Sequence, residues 1–509
     1  MDLGHGFPEW TELGQDSGLD PLGMQRPIEA IYQSLIPGIS TITLRYRYYS
    51  FFSLILKHYE EKVRHPDPAI FQLFHRRCEA LLALVCAHGT PELGITGTNW
   101  AAGVLGGLNG SYGASIDFIA GASPGQEAGK GYLLNKAGAF GAIYSTQMAE
   151  MGLIHFPGSN QPNPNPICSE LALRLADALS QALGNVSDQF FAAADHGSVT
   201  LASLQAFETM KPGALIPGSG EHVLLKDILL GKSETPSAAD FRRQHTLRML
   251  LEAAVFFDSV PSAEVVKWHW FENAPAITQG EEPTVPHLWF LYQASDLLRM
   301  AYETILSACL TVLESAPRQR ATLSVLIDEI TGFANLAENQ SWGEFASLQA
   351  GDAPITAAKA TAAAMLEAVE LEDRVASAVR LIAQVTRLVQ GHSAIIDQAL
   401  RANEHFLSLR TERGFLASQS DDPSTVVFAR LIQDKIIKRH LWVASRKFRN
   451  QRAYTFHMEP EDGVLRYRSQ FGVAPSSPRI DQALRFMRDV YLLDEKGVTD
   501  LGRAELAAA

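Results

Sequence analysis

Little in these 509 residues points to a reaction. The four cysteines, Cys78, Cys86, Cys168 and Cys309, form no CxxC pair, and so few in so long a chain make neither a zinc ribbon nor a disulfide framework. They read as reduced, mostly buried thiols. No run approaches the roughly 18 apolar residues needed to cross a bilayer. The opening MDLGHGFPEW is neither a basic-then-apolar signal nor an arginine-rich transit peptide. The expectation is a cytoplasmic protein with no membrane partner.

Recognisable catalytic motifs are missing as well. The 15 histidines show no HExxH, and Trp268-His269-Trp270 reads as half-buried aromatic surface. There is no GxSxG elbow, and Gly218-Ser219-Gly220-Glu221-His222 has a turn composition. The stretch from Gly125 to Gly131 approximates a phosphate loop, but it is one residue short between its glycines and has Gly131 where a magnesium-binding Ser or Thr belongs. Gly106 to Gly110 is too irregular for a dinucleotide fingerprint, and no Val/Ile-rich strand precedes it. Asp258, Glu264 and Lys267 outline a metal-nuclease trio without the strand alternation that would gather them. No catalytic residue, metal ligand or cofactor is therefore assigned. A metal-dependent nuclease stays open only as a class whose carboxylates the sequence does not name.

What is present speaks of architecture. With 46% hydrophobic and 19% charged residues the chain can bury large cores in several units. The fold class expected is mainly α, multidomain, with winged-helix-like elements and a few short hairpins. Five segments are expected: an N-terminal arm and helical unit (1–90), a Gly-rich region with a winged-helix-like element (91–190), an irregular connector (191–287), a helical bundle (288–420) and a basic C-terminal winged-helix-like domain (421–509).

Residues 1–27, rich in Gly, Pro and acidic residues, read as an extended arm. A helix capped by Ser40 or Thr41 is expected to run to about Arg64, and a second from Ala69 to His88 after the break His65-Pro66-Asp67-Pro68. Leu44, Tyr48, Phe51, Phe52, Ile55 and Tyr59 form a core-facing stripe on the first. Of the 38 glycines, 14 fall between Gly89 and Gly141, which marks a loop-rich segment, mobile or wrapped on a neighbour. Two later stretches share the order helix, apolar strand, turn, helix: Lys136 to Gly152 and onward past Ile167, and Arg479 onward through Val490–Leu493 and Lys496-Gly497 to a helix from Asp500. An unrelated helix–hairpin–helix would give the same pattern.

Charge is unevenly spread. The formal net charge is −13, yet residues 429–503 carry 15 Lys and Arg against 9 Asp and Glu, so the basic potential gathers near the C-terminus. If 425–450 is one helix, Lys435, Lys438, Trp442, Arg446 and Arg449 make one basic stripe around an indole, with Arg439, Lys447 and Arg452 beside it. Ile432, Ile436, Ile437, Leu441, Val443, Ala444 and Phe448 would cover the opposite, buried arc. Such a stripe can contact phosphates and stack a base on Trp442; a solvated face or an acidic protein partner fits it too. Arg485 and Arg488, three apart on the expected recognition helix, and Lys496 at the wing tip complete the candidate DNA-binding set. The first winged copy has Glu150 and one basic residue, and reads as a packing or protein-binding module.

Arg45 and Arg47 are expected in the first two turns of the first helix, where the macrodipole disfavours a cation. Carboxylates elsewhere in this acidic chain, or the phosphate of a nucleic acid or nucleotide, would offset that. Around them, Asp20-Pro21-Leu22-Gly23, Glu29, the run from Leu35 to Thr41 and Arg45-Tyr46-Arg47-Tyr48-Tyr49 resemble the N-terminus of uncharacterised bacterial proteins encoded beside restriction and other anti-phage genes. The ending from Leu492-Leu493-Asp494-Glu495-Lys496-Gly497 to Leu501-Gly502 is similar to their close. The resemblance spans about 60 residues at each end and brings no catalytic residue. It implies a component of a multi-protein defence system with partner proteins from the same operon. The expected function is thus a non-enzymatic accessory subunit binding DNA through its C-terminal domain, or alternatively a protein-binding scaffold that touches no nucleic acid.

Overall fold

A computed structural model describes residues 20–108, 114–127, 129–158, 161–233, 235–275, 282–351, 353–400 and 406–508, without the side chains of Ala350 and Gln451. Residues 1–19 of the expected arm, part of the Gly106–Gly110 stretch and Ala128 of the phosphate-loop-like run lie outside them. The chain is mainly helical, with a few short antiparallel strands. Among the described residues no helix is long and apolar enough to cross a membrane.

Two compact units are assembled from discontinuous stretches: residues up to Tyr32 with Lys267–Pro478, and Gln33–Val266 with Arg479 onward. The segment expected as one C-terminal domain is divided between them at residue 478. Of the expected connector 191–287, residues 191–266 are an integral helical part of the second unit.

That unit is organised around the helix Tyr48–His58, which continues as a π-helical turn over Tyr59–Val63 and stops at Arg64 in the left-handed conformation. The helix starts later than expected: Ser40 to Thr43 form a local turn instead, in which the Ser40 amide donates to the Thr43 hydroxyl and that hydroxyl donates to the Ser40 carbonyl. Its aromatic residues do not form one stripe. Every residue from Tyr48 to Leu56 is buried, and Tyr48 stacks on both Phe52 and Tyr144, which meet each other at a tilt. Leu44, outside the helix, is only half-buried. The next helix, Pro68–Ala87, follows the sequence expectation closely, with Asp67 capping the Ala69 amide and Pro68 at the first turn.

The Gly-rich segment is strapped onto that second helix by two buried polar side chains one turn apart. The Arg76 guanidinium donates to the carbonyls of Ala122, Ser123, Leu133 and Asn135, and the Glu79 carboxylate accepts the Ala139 and Phe140 amides at 2.7 and 3.0 Å. Gly138, at φ +70°, has to be glycine, since a Cβ there would lie 2.7 Å from a Glu79 oxygen. Both helix–hairpin–helix elements occur in this unit. In the first, Phe140–Glu150 leads to the Ile154–His155/Ile167–Cys168 pair and a helix Glu170–Leu183 capped by Ser169. In the second, Ile480–Asp489 leads to a single bridge, Leu493 to Val498, and a helix Asp500–Ala507 capped by Thr499. The expected strand Val490–Leu493 does not form, because Tyr491 turns at φ +58°.

The first unit has its own central helix, Val285–Ser315, buried over nearly its whole length. Leu371–Leu388 and Leu323–Phe333 pack on it. So does the helix that runs without a break from Ser424 to Gln451 through a π-helical stretch at Leu431–Ile437. A hairpin, Met458–Glu461 with Val464–Tyr467, takes Arg320–Ala321 as a third strand. Inside the central helix, Arg299 pairs with Asp296 and Glu303 and donates to the Ala474 carbonyl, while Asp296 accepts the Ser476 amide. These buried groups hold the stretch 470–476 along the helix, a role no sequence periodicity announces.

Candidate nucleic-acid interface

The helix Ser424–Gln451 positions seven of the candidate side chains, with Arg452 at its C-cap, and the structure gives them very different tasks. Lys435 donates at 3.1 Å to Glu412, whose fully buried carboxylate also accepts the Tyr302 hydroxyl at 3.0 Å and the Thr411 hydroxyl. The ammonium also sits 4.6 Å from the Phe415 ring centre. Lys435 is thus the counter-ion of a core carboxylate rather than part of an open stripe. Lys438 is exposed and pairs with Asp434 one turn back. Arg439 donates to the Leu22 carbonyl at 2.8 Å and Lys447 to the Asp20 carbonyl at 3.1 Å, so both dock the segment 20–23.

The far end of the helix differs. The buried face is Ile436, Ile437, His440, Val443 and Ala444; beyond Ala444 the helix outruns the core it packs on. Phe448, expected on the buried arc, is consequently 51% exposed, and Leu441 is half-buried. Trp442, 38% exposed, lies between two guanidinium groups, with Arg439 at 4.5 Å and Arg446 at 5.3 Å from its ring. Arg446 also approaches the Phe406 ring at 5.8 Å. Arg449 and Arg452 are exposed and form no ion pair among the described residues. Tyr454, 39% exposed, follows at once. The result is a projecting tip of three arginines and three exposed rings. Phe448 and Tyr454 were not legible as part of it, since an apolar residue in helical phase signals burial and gives no warning that the partner surface has ended.

Two histidines fix the base of this helix. The His440 Nδ1–H donates to the Pro21 carbonyl at 3.1 Å, and its Nε2 accepts the His457 amide at 3.0 Å, an arrangement that requires the neutral ring. Burial pushes its pKa down to about 3. An unfolded histidine takes up a proton near pH 6.5, so between pH 6.5 and 3 the unfolded state binds more protons and stability falls as pH falls. Buried Glu303, pushed up to about 7, acts in the opposite sense. The His440 contribution is therefore read as a difference: from pH 7.5 to 5.0 the wild-type chain should lose about 2 kcal/mol more than His440→Gln, by urea midpoints. Equal pH dependence of the two proteins would exclude the neutral buried imidazole.

The remaining candidates lie in the other unit. Arg485 and Arg488 do point to solvent from the helix Ile480–Asp489, whose other face is buried. Lys496 is exposed at a turn held by Asp494, which accepts the amides of Lys496 and Gly497. Exposed Asp481, Asp494, Glu495 and Asp500 surround these three cations in sequence. Along the chain these four exposed carboxylates outnumber the three cations.

Arg45 and Arg47 precede their helix rather than lying in it, and the chain's own carboxylates occupy both. Arg47 makes a two-point pair with Glu221, 2.9 Å at each contact, and donates to the Thr209 and Lys211 carbonyls. Only 5% of its side chain is exposed. Arg45 joins Glu92 at 3.1 Å and Asp489 at 3.2 Å. An outside phosphate would have to displace these partners.

Elsewhere, a cleft of about 810 Å³ is lined by Ser341–Glu344, Arg387, Gln390, Arg413 and Asp421. Its helix start offers no free donors, since the amides of Trp342, Gly343 and Glu344 are taken by Asp422, Ser420 and the Ser341 hydroxyl. Glu264 and Lys267 lie on one helix, and Lys267 donates to the Ser476 carbonyl. Among the described residues no three His, Cys, Asp or Glu side chains are grouped to hold a metal ion. The thiols of Cys78, Cys86 and Cys309 are buried, and burial pushes the half-buried Cys168 thiol up to about 12. Comparison with protein-family models, with characterised proteins and with solved structures found no match for this chain.

Proposed function

We propose that this protein is a non-enzymatic accessory subunit of a bacterial anti-phage system, acting in the cytoplasm, and that it binds DNA through the tip of the helix Ser424–Gln451. The observation that carries the reading is the tip itself: Arg449 and Arg452 without carboxylate partners among the described residues, beside Arg446 and the exposed rings of Trp442, Phe448 and Tyr454. Cations that track a backbone, interleaved with rings that stack on unpaired bases, suit a single strand better than a duplex. The defence setting rests on the resemblance at the two chain ends, and the operon partners it implies would bind elsewhere on this acidic chain.

The test is binding of labelled single- and double-stranded DNA across a salt series. Three or four phosphate contacts on a single strand give a slope of log K against log salt of roughly −2 to −3. Arg449→Glu with Arg452→Glu should weaken binding at least about tenfold while leaving the urea midpoint unchanged. If no DNA binds even at low salt, the scaffold reading takes its place, with the same tip meeting an acidic protein surface.

A further inference from the structure

The segment docked on the basic helix has a direction. Leu22 is bonded to Arg439, Pro21 to His440 and Asp20 to Lys447, so the chain traced backwards from Leu22 to Asp20 advances toward the C-terminal end of the helix. The docking is close: Gly23, at φ +72°, would bring a Cβ to 2.7 Å from the Arg439 guanidinium. Asp20 itself is fixed, its carboxylate accepting the amides of Met24 and Gln25.

Residues 1–19, outside the described residues, are joined to the chain at Asp20, whose carbonyl accepts the Lys447 ammonium. Their composition complements the basic tip. Asp2, Glu9, Glu12 and Asp16 are their charged residues, with no Lys or Arg, and Phe7 and Trp10 supply rings. Asp16 is four peptide units from Asp20, a reach of up to about 14 Å in an extended chain. The helix end at Arg452 is about 7 Å along the axis from Lys447.

We propose that the acidic segment 1–19 is an intramolecular occupant of the basic tip, covering in cis the surface assigned above to DNA. The inference rests on that surface being an anion-binding one and does not require that the anion be DNA. Tethering at Asp20 gives the segment an effective concentration on the order of millimolar, so an intrinsic dissociation constant of about 0.1 to 1 mM suffices to compete. An external polyanion then binds about two- to tenfold more weakly to the whole chain than to the chain without residues 1–19.

Removing residues 1–19 leaves the docking contacts of Asp20, Pro21 and Leu22 with Lys447, His440 and Arg439 in place. A fluorescein-labelled peptide of residues 1–19, titrated with the shortened protein and followed by anisotropy, should bind in the submillimolar range and weaken with salt. Binding should be lost when Asp2, Glu9, Glu12 and Asp16 are replaced by their amides, and lost on the Arg449→Glu/Arg452→Glu protein. In parallel, a single-stranded oligothymidylate should bind the shortened protein more tightly than the whole chain. A peptide that does not bind up to millimolar concentration, or binds the charge-reversed protein equally well, overturns the inference even if the oligonucleotide binds. A peptide that binds at the tip while the oligonucleotide binds neither form supports the inference and removes the DNA reading.

Discussion

Replacing Arg76 by methionine is expected to destabilise the chain by about 3 to 5 kcal/mol, a large part of the 5 to 15 kcal/mol typical of a folded domain. The side chain is fully buried, and its guanidinium satisfies four carbonyls of the Gly-rich segment while facing the Tyr132 ring at 5.0 Å. Methionine fills much of the same volume but donates nothing, so those carbonyls are left desolvated and without partners. Glu79 loses its neighbouring cation as well; burial holds its pKa up at about 8 even with Arg76 and two amide donors pulling it down. A urea titration, together with limited proteolysis between residues 114 and 141, measures the effect. Glu79→Gln, which keeps an acceptor for the Ala139 and Phe140 amides, should cost less. A loss below about 1 kcal/mol for Arg76→Met would mean that the segment is held by its apolar contacts.

The second large effect belongs to Lys435→Glu, which should cost about 3 to 5 kcal/mol. It replaces the counter-ion of a fully buried carboxylate by a second carboxylate, with Tyr302 and Thr411 unable to neutralise either. Lys435→Met, which removes only the pairing charge, should fall between this variant and the wild type. The reversals at Arg449 and Arg452, both exposed, should stay within about 0.5 kcal/mol of wild type. Loss of DNA binding in a variant that includes Lys435 would therefore report unfolding, whereas loss in Arg449→Glu/Arg452→Glu reports the surface. Equal urea midpoints for Lys435→Glu and the wild type would refute the Glu412 pairing.

Some of this was legible in the chain before any coordinates. The break at His65–Pro68 and the Asp67 cap fixed the helix Pro68–Ala87, because capping and proline act within one turn and need no distant partner. The order helix, turn, helix in both stretches followed from apolar periodicity and turn residues in the same local way, although the strand expected over Val490–Leu493 did not form. The continuous helix over 425–450 was equally local, and most of its buried face was placed by phase alone.

Tertiary structure decided what each charge does, since the partners lie far away in sequence. Arg45 meets Asp489, 444 residues on, Arg47 meets Glu221 and Lys435 meets Glu412. Composition supplied the carboxylates without saying which would be near. The Gly-rich segment looked open because its glycines were visible and its clamp, Arg76 with Glu79, was hidden as two ordinary residues of a helix. Phase likewise told which face of the helix Ser424–Gln451 is apolar but not where its supporting core ends, and that end exposes Phe448 beside Arg449 and Arg452. Local sequence determined the helices of this protein, because helices are made by neighbours. Packing determined which of its cations are structural and which remain open to a ligand, because burial and charge pairing are properties of residues that only the fold makes adjacent.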